Sequence, residues 1–173
     1  KAKYGPEAMV FSSTHNLSQV QFENLLYAYG SPNYGTQRSL CFNAMIVANL
    51  MTYGMEEPGR DYSQVKYIIL TGRNLTEAIS TSETGELMDA IANGAKVVYI
   101  DPRFTKTASK ATEWLPIRPG TDLAFHLALI QVIISENLYN KSFVDQYTVG
   151  FPELVTAVKD YTPAWAAPIS TPG

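Results

Sequence analysis

Three parts of this 173-residue chain combine residue types suited to chemistry. Its one cysteine, Cys41, lies just after Arg38 and Ser39. If Ser39 caps a helix, Cys41 falls in the first turn, where the helix dipole and the guanidinium both favour thiolate over thiol. Such a thiolate suits a metal ligand or a nucleophile. Ahead of Phe42, Ala44, Met45 and Ile46, the same thiol also suits a small core residue. The second part is a pair of segments, Thr71-Gly72-Arg73-Asn74-Leu75-Thr76-Glu77 and Asp101-Pro102-Arg103, each following an apolar run. Gly72 lets a ligand approach the backbone, and Asn74 and Glu77 offer amide and carboxylate groups. Asp101 can accept hydrogen bonds from ribose hydroxyls, and Arg103 can pair with a phosphate. Gly-Xaa-Asn is equally a common turn, and Asp-Pro a common strand end. The third part is Arg118-Pro119-Gly120-Thr121-Asp122, a helix start with free backbone N–H groups and a first-turn carboxylate. Asp122 can receive the paired N1–H and N2–H donors of a guanine edge, although Thr-Asp is also what capping and the dipole favour. His126, inside an apolar run, is expected to be a core histidine with a hydrogen-bond partner. His15 has no second ligand at a recognisable spacing. No Walker loop, GxGxxG or zinc pattern occurs.

The elements that must carry these groups alternate. A short strand is expected at Ala8 to Phe11. A helix follows from Gln19 to Tyr29, with Ser18 as N-cap, Gly30 as its C′ residue and Pro32 forbidding continuation. A second helix is expected from Leu40 to Tyr53, stopped by Gly54. Val65 to Leu70 reads as a buried parallel strand and Lys96 to Ile100 as the next, joined by helix material from Glu83 to Asn93. Such a βαβ unit should cross over right-handed. Trp114 to Ile117 is a candidate third strand. Thr121 should cap a long helix reaching Glu136, apolar all round and therefore expected to be largely buried. Ser142 to Ala167 reads as short amphipathic helices. The expected fold is α/β, doubly wound and Rossmann-like, with a mostly parallel sheet and helices on both faces. Ligands of such sheets bind beyond the carboxyl ends of the strands, where the second group of residues lies.

Bulk properties narrow the function classes. An apolar fraction of 46% and a charged fraction of 17% are those of an ordinary globular chain. A net charge of −3 and scattered Lys and Arg argue against a nucleic-acid partner. One cysteine excludes an internal disulfide framework. No stretch approaches the roughly 20 apolar residues needed to span a bilayer. The chain starts at Lys1 without a signal-peptide pattern, and it is expected to be a piece of a longer polypeptide.

In their order and spacing, these loops resemble the molybdopterin oxidoreductases of the dimethyl sulfoxide reductase superfamily. The matching run begins at Gly72-Arg73-Asn74 and continues through Gly94 to Arg103 and Trp114 to Asp122. It extends to Glu136-Asn137-Leu138-Tyr139 and Tyr147 to Phe151. Upstream, Tyr29-Gly30-Ser31-Pro32-Asn33 followed by Cys41 is similar to the polysulfide, thiosulfate and arsenate reductase branch. Leu75 stands where the family often has Pro, and Pro168 to Gly173 does not continue the family pattern.

The resemblance implies that Cys41 is the protein ligand to molybdenum (or tungsten) and the catalytic residue. It implies that Gly72, Asn74, Glu77, Asp101, Arg103, Gly120 and Asp122 hold one guanosine-diphosphate arm of a bis-molybdopterin guanine dinucleotide. Residues 1–60 would then form a metal-ligand segment and residues 61–173 a guanine-dinucleotide-binding segment. The implied activity is respiratory reduction of a sulfur or arsenic compound. The expected partners are the remainder of the catalytic subunit, carrying an iron–sulfur cluster, an iron–sulfur electron-transfer subunit and a membrane-anchor subunit. The resemblance suggests an exported or periplasmic, membrane-associated complex, and the piece alone is expected to be inactive. The alternatives are a non-redox guanine-nucleotide-binding α/β module, which would leave the thiol inert, and formate or nitrate chemistry.

Overall fold

A computed structural model describes residues 2–12, 19–36, 42–77 and 81–171. They belong to two compact units, Lys1–Arg60 and Asp61–Gly173. In the first unit, β1 (Phe11–Ser12) pairs in parallel with β2 (Tyr34–Gly35), and α1 (Gln19–Tyr29) connects them. The helix runs over the expected residues and ends at Gly30, whose φ of 86° lets its N–H turn back to Leu26 O at 2.9 Å. The Gly-Ser-Pro-Asn turn then fastens itself to the start of the chain. Ser31 Oγ donates to Met9 O at 2.6 Å, and Asn33 Nδ2 donates to Glu7 O at 2.6 Å. α2 (Asn43–Tyr53) follows, stopped as expected at the left-handed Gly54. The expected caps Ser18 and Ser39 lie outside the described residues, as do His15, Arg38 and Cys41.

In the second unit, β3 (Tyr67–Thr71), β4 (Lys96–Ile100) and β5 (Glu113–Leu115) form a parallel sheet in that order. α3 (Thr81–Ala92) joins the first two strands and stops short of Gly94. Alternation along β4 decides the layering, because successive side chains leave opposite faces of a strand. Val97 and Tyr99 pack with Leu87 and Ala90 of α3 and with Ile68 and Leu70 of β3. Val98 and Ile100 pack the other way, on Ile117 and on Phe125 of α4 (Asp122–Ser135). Helices therefore cover both faces of the central strand, the doubly wound layering expected of the sequence. Each fully buried Leu or Val contributes about 1.5–3 kcal/mol.

α5 (Lys141–Tyr147), α6 (Phe151–Val158) and α7 (Pro163–Ser170) complete the unit. Asn140 caps α5 through Phe143 N–H, and Thr162 caps α7 through Trp165 N–H. Two expectations for α4 are corrected. The helix is not largely buried: only Ala124 and Ala128 are enclosed, and Leu123 is 72% exposed. The alanines mark the line where neighbours come closest, while α6 and α7 cover only part of the remaining apolar surface. Thr121 occupies the N-cap position but makes no side-chain cap; its hydroxyl donates to Arg118 O at 2.6 Å. No helix among the described residues is long and apolar enough to cross a membrane.

Candidate functional site

The carboxyl ends of β3 and β4 carry the two loops singled out in the sequence. Thr71 pairs with Ile100 as the last rung between these strands. The ladder then continues one step into the loop, where Gly72 N–H donates to Ile100 O at 2.9 Å. Gly72 has φ of 60°, and the space a Cβ would enter is empty to 4 Å. An L side chain is strained at such a φ, so glycine serves both the turn and an open approach to the backbone.

Beyond Gly72 the loop is braced against the segment that follows β4. The buried Thr107 donates its hydroxyl to Asn74 Oδ1 at 2.7 Å and accepts the N–H of Thr76 at 3.1 Å. Asn74 Nδ2 donates to Glu77 Oε2, which also accepts the N–H of Lys106 at 3.4 Å. These two donors, Asn74 first, hold the Glu77 carboxyl below the usual glutamate value. Leu75 is 1% exposed and sits in the core shared with α3, and its N–H donates to Arg73 O at 3.0 Å. A proline there would lack that N–H, so the departure from the family pattern supplies a local bond. Arg73 forms an ion pair with the buried Glu83 of α3, and Tyr62 donates to the same carboxylate at 2.9 Å. The Arg73 Nε–H is buried without a partner among the described residues.

Asp101 is held from both sides. Its Oδ2 accepts from Tyr99 Oη at 2.9 Å and its Oδ1 accepts from Arg103 N–H at 2.8 Å, while Trp114 Nε1 donates to its carbonyl at 2.9 Å. Each carboxylate oxygen retains further acceptor capacity. Burial pushes the Tyr99 hydroxyl above its usual range, so it remains a donor. The Arg103 guanidinium is exposed and forms no ion pair among the described residues.

At the start of α4, Gly120 is left-handed with φ of 78°, and the carboxylate of Asp122 is exposed in the first turn. His126 joins this helix to β3. Its Nδ1 lies 2.7 Å from Asp122 O, and its Nε2 lies 3.2 Å from Thr71 Oγ1. The ring is half-buried and, as expected, has hydrogen-bond partners.

The second unit thus brings Gly72, Asn74, Glu77, Asp101 and Arg103 into one cluster at the strand ends, and His126 ties the Asp122 turn to it. Cys41 lies outside the described residues. Among those residues no group of three or more His, Cys, Asp or Glu is placed to hold a metal ion. The polar groups suit a guanosine diphosphate: an unengaged guanidinium for the diphosphate, a braced aspartate for ribose, and an exposed carboxylate for the guanine edge, with Gly72 leaving the approach to the backbone open. Asn74 and Glu77 are already spent on one another and on Thr107 and Lys106, so they chiefly shape the loop. Thr107, Tyr99 and the Arg73–Glu83 pair were not evident in the sequence, because each acts through a partner 2 to 33 positions away.

A family model described as molybdopterin oxidoreductase matches residues 1–172. The thiosulfate reductase molybdopterin-containing subunit of Salmonella typhimurium is 45% identical over 168 residues, covering 96% of this chain and 22% of that protein. The arsenate respiratory reductase molybdopterin-containing subunit of Chrysiogenes arsenatis is 32% identical over 190 residues, covering 91% of this chain and 21% of that protein. A solved structure, acetylene hydratase from Pelobacter acetylenicus, superposes with a TM-score of 0.76 at 33% identity, covering 98% of this chain and 24% of that one. The chain thus spans between 21% and 24% of the length of these relatives.

Proposed function

Since the chain belongs to the molybdopterin oxidoreductase family, we propose that it forms part of a catalytic subunit that reduces a sulfur or arsenic compound with a bis-molybdopterin guanine dinucleotide cofactor. The observation that carries the reading is the meeting of the Gly72–Glu77 turn with Asp101 and Arg103 at the ends of adjacent strands. Arg103 binds the diphosphate of one arm, which Gly72 lets close to the backbone, Asp101 binds its ribose, and Gly120 and Asp122 its guanine. Asn74 and Glu77 hold the first loop in shape. Cys41 supplies the thiolate to the metal, a soft ligand suited to a redox-active centre. When bound, the cofactor supplies the two-electron chemistry; this chain's residues orient it and help exclude water. The sulfur and arsenic reading draws support from the thiosulfate and arsenate relatives. Iron–sulfur and membrane partners follow only from the resemblance.

A second reading rests on the likeness to acetylene hydratase. There the same cradle would serve addition of water, with no net transfer of electrons to the substrate.

The test is metal and pterin analysis of the complete subunit purified without oxygen. Molybdenum or tungsten with two guanine dinucleotides is expected, and its absence would overturn the cofactor reading. Consumption of reduced viologen by thiosulfate, polysulfide or arsenate separates reductase from hydratase. In a Cys41→Ala subunit the metal should lose its protein sulfur neighbour by X-ray absorption; an unchanged metal site would sink the ligand assignment.

A further inference from the structure

Between the two loops lies a residue with no assigned contact to the ligand whose ring bonds the backbone of Asp122 and the side chain of Thr71. We propose that His126 is a positioning residue whose ring sets Asp122, in the first turn of α4, against the carboxyl end of β3 where the Gly72 loop begins. The inference rests on the reading above that these loops hold one guanosine-diphosphate arm.

The chemistry of the first contact fixes its direction. A backbone carbonyl only accepts, so Nδ1, 2.7 Å from Asp122 O, carries the ring proton. In the neutral ring, Nε2 is then an acceptor, and the Thr71 hydroxyl 3.2 Å away donates to it. The imidazole is therefore oriented by its own helix at one end and reaches the last residue of β3 with the other, so the bond to Thr71 is the one that ties the helix start to the strand.

The surroundings explain why such a tie is needed. α4 is predominantly apolar, and apolar packing resists separation far better than rotation about the helix axis. Phe125 packs on Val98, Ile100 and Ile117, and its ring meets that of His126 edge-on at 5.6 Å. The hydroxyl of Thr121, which would ordinarily brace the first turn, is turned back to Arg118 O. Arg118 N–H and its guanidinium tie the segment before α4 to Ser170 O and Thr171 O of α7 and its end, and His126 supplies the side-chain bond from the first turns of α4 to β3. A guanine read by Asp122 while its diphosphate lies close to Gly72 tolerates little relative shift of the two loops.

Three substitutions in the complete, cofactor-loaded subunit dissect the tie. Thr71→Val removes the donor while keeping the shape. His126→Asn retains a donor near the Nδ1 position and loses the reach to Thr71. His126→Gln retains an acceptor near the Nε2 position. The readouts are the rate at which guanine nucleotide is lost per molybdenum, and amide hydrogen exchange over residues 71–77 and 118–125.

Thr71→Val and His126→Asn should each lose nucleotide about fivefold faster, the effect of one hydrogen bond. Both should raise exchange in both segments, and the double variant should be no worse than either single one. His126→Gln should stay within about twofold of the unmodified protein. Nucleotide retention at the unmodified rate, additive losses, or a parallel fall in melting temperature without the Asn–Gln split would overturn this role. An unmodified subunit carrying no guanine nucleotide would instead mean that the cofactor reading itself had failed.

Discussion

At the scale of single residues, the site depends on carboxylates with different engagements. Asp122 is exposed in its turn, with the carboxylate pointing to no described partner, so its substitution should act on the ligand and little on the fold. Asp122→Ala is expected to weaken retention of the guanine arm roughly 10- to 100-fold, since hydrogen bonds to a charged acceptor are worth about 1.5–3 kcal/mol each. Its melting temperature should move little; nucleotide analysis and calorimetry of the complete subunit check both. Asp101 is buttressed by Tyr99, whose ring is fully buried. Tyr99→Phe keeps the packing and removes the hydroxyl, so a loss of about 1 kcal/mol in stability is expected by denaturant titration.

Glu77 behaves differently, because its partners belong to the protein. Its folded carboxyl titrates below the ordinary glutamate value of 4.5, held there by Asn74 and then by Lys106 N–H. A depressed carboxylate contributes stability that is present above the unfolded value and lost as pH falls through the folded one. The loop should therefore loosen as pH drops below about 4.5, and Glu77→Gln should abolish that dependence. Hydrogen exchange of residues 74–77 at pH 3 to 6 measures it. The group is exposed, so solvent screening keeps the effect small.

At the scale of elements, β4 carries the second unit. It is buried on both faces, and α3 seals one of them through Leu87, which is 1% exposed. Leu87→Ala should cost about 2–5 kcal/mol, read as a fall in the denaturation midpoint. These elements were legible in the sequence because burial leaves a periodic trace. Lys96 to Ile100 is an unbroken apolar run after its first residue, and Gly30, Gly54 and Gly94 mark helix ends by the φ they require. The carboxyl-end loops were legible for the same reason, since strand ends locate ligands in open sheets. Environment, in contrast, left no local trace. The apolar face of α4 reads as a buried helix, yet how much of it is covered depends on neighbours far along the chain. Thr121 reads as a cap, and its hydroxyl found a nearer carbonyl. Thr107 carries no periodic signal, because its value lies in hydrogen bonds to a loop some thirty residues earlier.

At the scale of the whole molecule, much apolar surface faces outward. Tyr67 and Ile69 on β3 are half-exposed, and Leu123, Tyr147 and Val149 are exposed by 67% or more. An isolated 173-residue chain should bind a hydrophobic dye and self-associate as its concentration rises. A clean monomer by light scattering with no dye response would contradict this. The strand ends carry a further consequence. Thr71 is level with Ile100, and Ile100 is level with Leu115, so three strands stop at one height. Shifting one strand by a single residue would move its outgoing loop by about 3.3 Å and turn its side chains to the wrong face. Length changes are consequently unequal in their effects along the chain. Residues gained or lost within β3, β4 or β5 would destroy the common edge and the packing together. Changes in the loops beyond it would leave the edge intact, so if this end of the sheet is the cofactor cradle proposed above, loop length alone would alter what it binds.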